Sequence, residues 1–249
     1  MANLLFITAL PQEQDALLTA LALPAVQCVV SRPLSLTLHS LSRGEDCIYI
    51  TQSGMGNVNA GAKLALILER YSIDQIVLIG VGGALCSALE IGEMVISDRV
   101  IQHDYFSSLE DGNFLMRPGD LHLSSEQSLG YDPVLQSPVH KIDLHQLCTQ
   151  SQGMYQALIA SGCEFVGTAA RKRAIHQKCL GARLVDMEAS AVAAVAQQYA
   201  VPFIVAKTVS DKLNSDGSIG QDFEHFLHSA CRNAAQFGQD IAAHFFERP

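Results

Sequence analysis

The stretch VDMEASAVAAVAQQYAVPFIVAKTVSD, from Val185 to Asp211, sets the fold and repays reading first. Alanine and valine fill most positions of Glu188–Tyr199, a helical pattern that Pro202 stops. A β-rich run then follows over Phe203–Val209, and Ser210 and Asp211 stand at its end. The same alternation extends outward. Further strands are expected at Leu4–Leu10, Cys47–Gln52, Gln75–Val81, Glu93–Ile101 and Tyr155–Ala160. Helical spacing recurs at Val58–Tyr71 and at Gln221–Phe246. Strand and helix alternating over the whole length argue for an α/β sandwich with a largely buried central sheet. No repeat and no Pro/Gly/Ser-rich linker divides the chain, so residues 1–249 read as one domain. The stretch Ser107–Ser151, punctuated by Gly112, Pro118, Gly119, Gly130, Pro133 and Pro138, reads as a functional loop or a subunit contact.

Composition narrows the function. Of 249 residues 49% are hydrophobic and 16% charged, which suits a sizeable core. No apolar run reaches the roughly 18–20 residues that span a bilayer. The segment after Met1 lacks a basic n-region, so it reads as a first strand and the chain as cytoplasmic. The net charge of −9 disfavours a nucleic-acid partner. The short run Arg171-Lys172-Arg173 reads as a solvated helix face. Seven cysteines, widely spaced and without a CxxC pair, support neither a disulfide framework nor a zinc site.

Four segments place polar or glycine residues at strand ends, where open α/β sheets bind ligands. In Thr8-Ala9-Leu10-Pro11-Gln12-Glu13 a carboxylate follows a turn, which a helix-start acid also explains. Ser53-Gly54-Met55-Gly56 joins a strand to a helix, and either tight packing or backbone approach to a ligand accounts for its glycines. Gly80-Val81-Gly82-Gly83 brings something close to the backbone, yet it is neither GxGxxG nor a P-loop, so a nicotinamide or ATP site is disfavoured. The fourth is the opening stretch itself, with Met187-Glu188 before a helix and Ser210-Asp211 after a strand.

Taken in order, Ala9-Leu10-x-x-Glu13, Ser53-Gly54-x-Gly56, Gly80-x-Gly82-Gly83-Ala84, Ser97-Asp98-x-x-x-x-His103-Asp104, Val185-Asp186-Met187-Glu188-Ala189 and Val209-Ser210-Asp211 resemble the nucleoside phosphorylase/nucleosidase superfamily. The match runs from Ile7 to the last helix and is nearest the methylthioadenosine/S-adenosylhomocysteine nucleosidase branch. That resemblance implies a three-layer α/β/α sandwich with a mixed central sheet. It also implies hydrolysis of the N-glycosidic bond of a purine nucleoside, with no metal or organic cofactor. By it, Asp211 protonates the purine at N7 and Ser210 orients that carboxyl. Holding the proton near neutral pH asks for burial or a neighbouring carboxylate. Glu13 activates water, Glu188 binds ribose hydroxyls and Met187 packs on the sugar. Phe165 stacks on the base and the Val166 backbone meets its edge. Gly82, Val81 and Phe223 complete the lining, His103-Asp104 lies near a subunit interface, and the protein is a homodimer. Acidic groups around the sugar suit a cationic ribosyl species.

The pattern departs in two places. Cys163 stands where the nucleosidases usually carry Asp, and Val81 where Ser or Thr is usual, which bears on base specificity and efficiency. The arginines that phosphorylases bring to phosphate have no counterpart, and Lys207 is the one basic residue in a phosphate-like position. Hydrolysis is therefore favoured. Futalosine hydrolysis, phosphorolysis and non-catalytic nucleoside binding stay open as alternatives.

Overall fold

The computed structural model describes residues 2–22, 25–138, 142–212 and 223–246. The first half of the chain forms β1 (Asn3–Thr8), α1 (Pro11–Leu21), β2 (Val26–Ser31), β3 (Leu36–Arg43), β4 (Asp46–Gln52), α2 (Asn57–Leu68) and β5 (Gln75–Ala84). Short strands follow: β6 (Met94–Ser97), β7 (Arg99–Gln102), β8 (Phe106–Leu109), β9 (Gly112–Leu115) and β10 (Val134–Gln136). The rest comprises α3 (Leu144–Gln150), β11 (Met154–Gln156), β12 (Ile159–Ser161), α4 (Ala169–Lys178), β13 (Leu184–Asp186), α5 (Ala189–Gln198), β14 (Phe203–Asp211) and α6 (Phe223–Phe246).

The sheet is mixed and runs β10-β7-β12-β13-β5-β1-β4-β3-β2, with β14 beside β5 and β6, and β11 beside β6. The core strands β1, β4, β5 and β14 pair in parallel, whereas β13 meets the end of β5 antiparallel. Alternation along the strands makes the two helical layers. Leu5 and Ile7 of β1 share one core with Ala60, Leu64 and Ile67 of α2 and Val192, Ala193 and Ala196 of α5. Leu4 and Phe6 point the other way, to Leu17 of α1, Leu144 and Leu147 of α3, and Ile241 and Phe245 of α6. Period 2 sends successive side chains to opposite faces, and each face needs a helical stripe to cover it. This is the expected three-layer sandwich.

Several boundaries differ from the sequence reading. The expected strand Glu93–Ile101 breaks at Asp98, where Ser97 Oγ bonds to the backbone of Arg99, and its halves β6 and β7 take different neighbours. Tyr155–Ala160 likewise divides into β11, beside β6, and β12, beside β7 and β13. The hairpin β2–β3 was not foreseen, and the punctuated Ser107–Ser151 stretch holds nearly all of the β8–β9 hairpin, β10 and the whole of α3. The solvated reading of Arg171-Lys172-Arg173 fails at its centre, because Lys172 is fully buried.

Candidate active site

A cavity of about 420 Å³ opens at the C-terminal ends of β1, β5 and β14, a size suited to a small organic ligand. Glu13, Asp186, Glu188, Asp211, Val81, Gly82, Phe165, Val166, Met187 and Ser210 all line it. The structure thus brings together nine of the ten residues given a site role from sequence, together with Asp186. The tenth, Phe223, opens α6, and its side chain lies outside the described residues.

Glu13 sits in the first turn of α1 and is buried. Its Oε2 accepts from the backbone N–H of Ala9 at 2.7 Å and of Leu10 at 2.8 Å, and its Oε1 accepts from Val81 N–H at 2.9 Å. The helix-start reading holds, and the same carboxylate also crosses to β5 and lines the cavity. An ionised carboxylate offers about four acceptor positions, so roughly one is left facing the cavity. Gly80 is obligatory for this: any Cβ there would collide with the Glu13 carboxyl.

Glu188 precedes α5, and its Oε1 accepts from Gly56 N–H at 2.8 Å. Gly56 holds φ near +90°, a conformation that favours glycine, so the Ser53–Gly56 turn serves to aim this donor. Burial raises the Glu188 pKa above its ordinary value, against the opposing pull of Lys207. Lys207 itself is fully buried, with its ammonium 3.2 Å from Asp186 Oδ2 and 3.3 Å from Glu188 Oε2. Burial disfavours its charge, but Asp186, Glu188 and Glu13 together outweigh that and raise its pKa. Lys207 is therefore committed to two carboxylates and does not line the cavity, which removes it as a phosphate ligand.

Asp211 ends β14 opposite Gly83, two residues beyond the Val81 N–H that holds Glu13, a separation of roughly 6.6 Å along β5. Ser210 Oγ lies 3.1 Å from Asp211 Oδ1 and 3.2 Å from Gly82 O, so its single hydroxyl proton is within reach of both acceptors. Asp211 is buried, as the sequence reading asked, and its ionic partner is the Lys172 ammonium of α4 in place of a carboxylate. Phe165 keeps 65% of its surface accessible at the cavity, which leaves a broad face for a flat base.

The two departures now have locations. Cys163 is exposed and lies outside the lining; its N–H donates to Asp104 Oδ2 at 2.6 Å, and Asn57 Nδ2 is 3.4 Å from its sulfur. Val81 does line the cavity but contributes its backbone N–H to Glu13. Glu164, given no role in advance, also lines it and is gripped by Arg171 through three contacts of 2.7–2.9 Å.

Residues 3–245 match the family model of the phosphorylase superfamily. The chain belongs to that superfamily. Among curated relatives, the 5′-methylthioadenosine/S-adenosylhomocysteine nucleosidase of Staphylococcus epidermidis is 32% identical over 192 residues, 76% of this chain and 78% of that one. The superfamily fold is equally clear in solved structures. The Helicobacter pylori 5′-methylthioadenosine/S-adenosylhomocysteine nucleosidase with butyl-thio-DADMe-Immucillin-A superposes with a TM-score of 0.81 at 21% identity, covering 98% of each chain. Futalosine hydrolase of the same organism gives 0.80 at 21% identity over 97% of each chain.

Proposed function

We propose that this chain hydrolyses the N-glycosidic bond of a purine nucleoside, releasing free base and a ribosyl sugar. One observation carries the reading: Glu13, Glu164, Asp186, Glu188 and Asp211 line the cavity, and no basic side chain does among the described residues. Even with Lys172, Lys207 and Arg171 backing four of these carboxylates, the wall keeps an excess of negative charge, which disfavours phosphate and stabilises the positive charge that grows on the ribosyl ring as the bond breaks. Asp211, at the end of β14, serves as the acid for purine N7. Glu13, across Val81 and Gly82, takes a proton from the attacking water. Glu188 receives ribose hydroxyls, Met187 covers the sugar, and Phe165 and Val166 hold the base. The names of the curated relatives make 5′-methylthioadenosine and S-adenosylhomocysteine the first substrates to try. By the same resemblance the protein acts as a homodimer in cytoplasmic methionine salvage, with His103 and Asp104 near the subunit contact.

The test is to incubate the purified protein with 5′-methylthioadenosine, S-adenosylhomocysteine, futalosine and inosine, with and without phosphate, and to identify products by mass. Free base and free sugar without phosphate, lost in Asp211→Asn and Glu13→Gln, is the expected result. A phosphate requirement would make the reaction phosphorolysis. Binding without turnover of any of the four would leave a nucleoside-binding protein.

A further inference from the structure

Helix α4 starts with Thr168, whose side chain accepts from Arg171 N–H, so Arg171 and Lys172 both fall in the first turn. A cation there faces the positive end of the helix dipole, the wrong end for its charge. Burying an ammonium is a further cost unless a partner compensates. Yet Lys172 has no accessible surface, and its ammonium contacts Asp211 Oδ2. It does not line the cavity, whereas its partner Asp211 does. The other Asp211 oxygen is next to Ser210 Oγ. Gly83 completes the enclosure, because a Cβ there would lie 3.1 Å and 3.2 Å from the two Asp211 oxygens and 3.3 Å from Lys172 Nζ.

We propose that Lys172 is a positioning residue for the acid: it fixes the Asp211 carboxylate from behind and resupplies the proton that Asp211 gives to the leaving base. This rests on the reading of Asp211 as that acid. In the ion pair the carboxylate is an acceptor only, so a proton bound for N7 has to reach it from another group. The ammonium carries three protons and touches it. Lysine suits this task where arginine does not, because a guanidinium keeps its proton. In the step, an Nζ–H bond breaks as the proton moves to Asp211 Oδ2, leaving a neutral amine. The carboxyl proton goes to N7, and the C1′–N9 electron pair departs with the base, which leaves neutral. The water oxygen joins C1′ while its proton passes through Glu13 to solvent. After the base leaves, a solvent proton enters from the cavity by way of the Asp211 carboxylate and restores the Lys172 ammonium.

A substrate that needs no protonation separates this role from a structural one. N7-methylated 5′-methylthioadenosine already carries the positive charge on its base, which leaves neutral unaided. Kinetics on it and on 5′-methylthioadenosine are compared for wild type, Lys172→Met, Lys172→Arg and Asp211→Asn. Lys172→Met and Lys172→Arg are expected to lose about 100-fold or more in kcat on the parent, the scale of general acid catalysis, and to keep turnover of the methylated substrate. Equal losses on both substrates, or no loss on the parent, overturn the proposal. Lys172→Gln keeps a donor without a transferable proton, and it replaces Lys172→Met in the same comparison if that variant does not fold. Asp211→Asn serves as the separate control: equal loss on both substrates there overturns the acid reading itself, whatever the lysine variants do.

Discussion

Glu13 shows how much one side chain can be asked to do. It caps α1, spans from Ala9 and Leu10 to Val81, and still lines the cavity. Backbone donors at three points hold the carboxylate at the cavity wall, which suits the proposed role of taking a proton from water. Glu13→Gln breaks both roles, because the amide nitrogen is a donor and faces N–H groups. The expected cost is about 1–3 kcal/mol of stability from the mispaired buried amide. A loss of about 10²–10⁴ in kcat follows from removing the base. Thermal melts and steady-state rates on one preparation check both, and a folded variant with near-native kcat would take Glu13 out of the chemistry. At this scale the sequence was legible wherever a residue belonged to a motif at a strand end, as Glu13, Glu188 and Asp211 do. Lys172 was missed because it stands between two arginines. Its partners on the helix stripe, Ile175 and Cys179 at i+3 and i+7, are both buried and carried the signal that it points inward.

At the scale of elements, the helices that cover the sheet touch through residues chosen for size. Gly61 in α2 faces α5, and a Cβ added there would sit 3.6 Å from the Ala191 Cβ and 3.8 Å from Val195 Cγ2, ordinary packing distances. Gly238 in α6 differs: its added Cβ would lie 2.7 Å from Leu17 Cδ1 and 3.1 Å from Ile79 Cδ1. Gly61→Ala therefore gains helix propensity without a clash and is expected to stabilise by about 0.5–1 kcal/mol. Gly238→Ala overpacks the α1–α6 contact and is expected to cost about 1–3 kcal/mol. Opposite shifts in melting temperature are the check, and shifts of the same sign would contradict this packing. The long helices and the buried central strands were readable from periodicity because their apolar residues repeat over many positions. The hairpin β2–β3 was not, although Leu36 and Leu38 alternate and are buried and Val26, Cys28 and Val30 share one face of β2, because β2 ends the sheet order and is mostly exposed. The break at Asp98 was hidden for another reason: β6 and β7 are each fully strand-like, and only their different neighbours divide them.

At the scale of the whole molecule, the carboxylate-rich cavity is embedded in a sheet whose buried titratable groups tie global stability to pH. His103, at the end of β7, is the clearest case. It is 2% exposed, it packs against Gly162, and neither ring nitrogen has a hydrogen-bond partner among the described residues. Burial lowers its pKa from the ordinary 6.5, with Arg171 acting the same way and Asp104, Glu164 and Asp186 opposing. In the window between the folded value and 6.5 the unfolded chain binds more protons than the folded one, so stability rises with pH there. The contribution is complete above 6.5 and is lost as pH falls through the lowered value, at a slope of at most about 1.4 kcal/mol per pH unit. Glu188, whose pKa burial raises, contributes the opposite trend from 4.5 upward. Comparing wild type with His103→Gln cancels that term, since Glu188 is present in both. Urea unfolding at pH 7.5 and pH 5.5 should therefore show the wild type losing more stability on acidification than the variant. Equal losses would mean that His103 is not the group through which this fold senses acid.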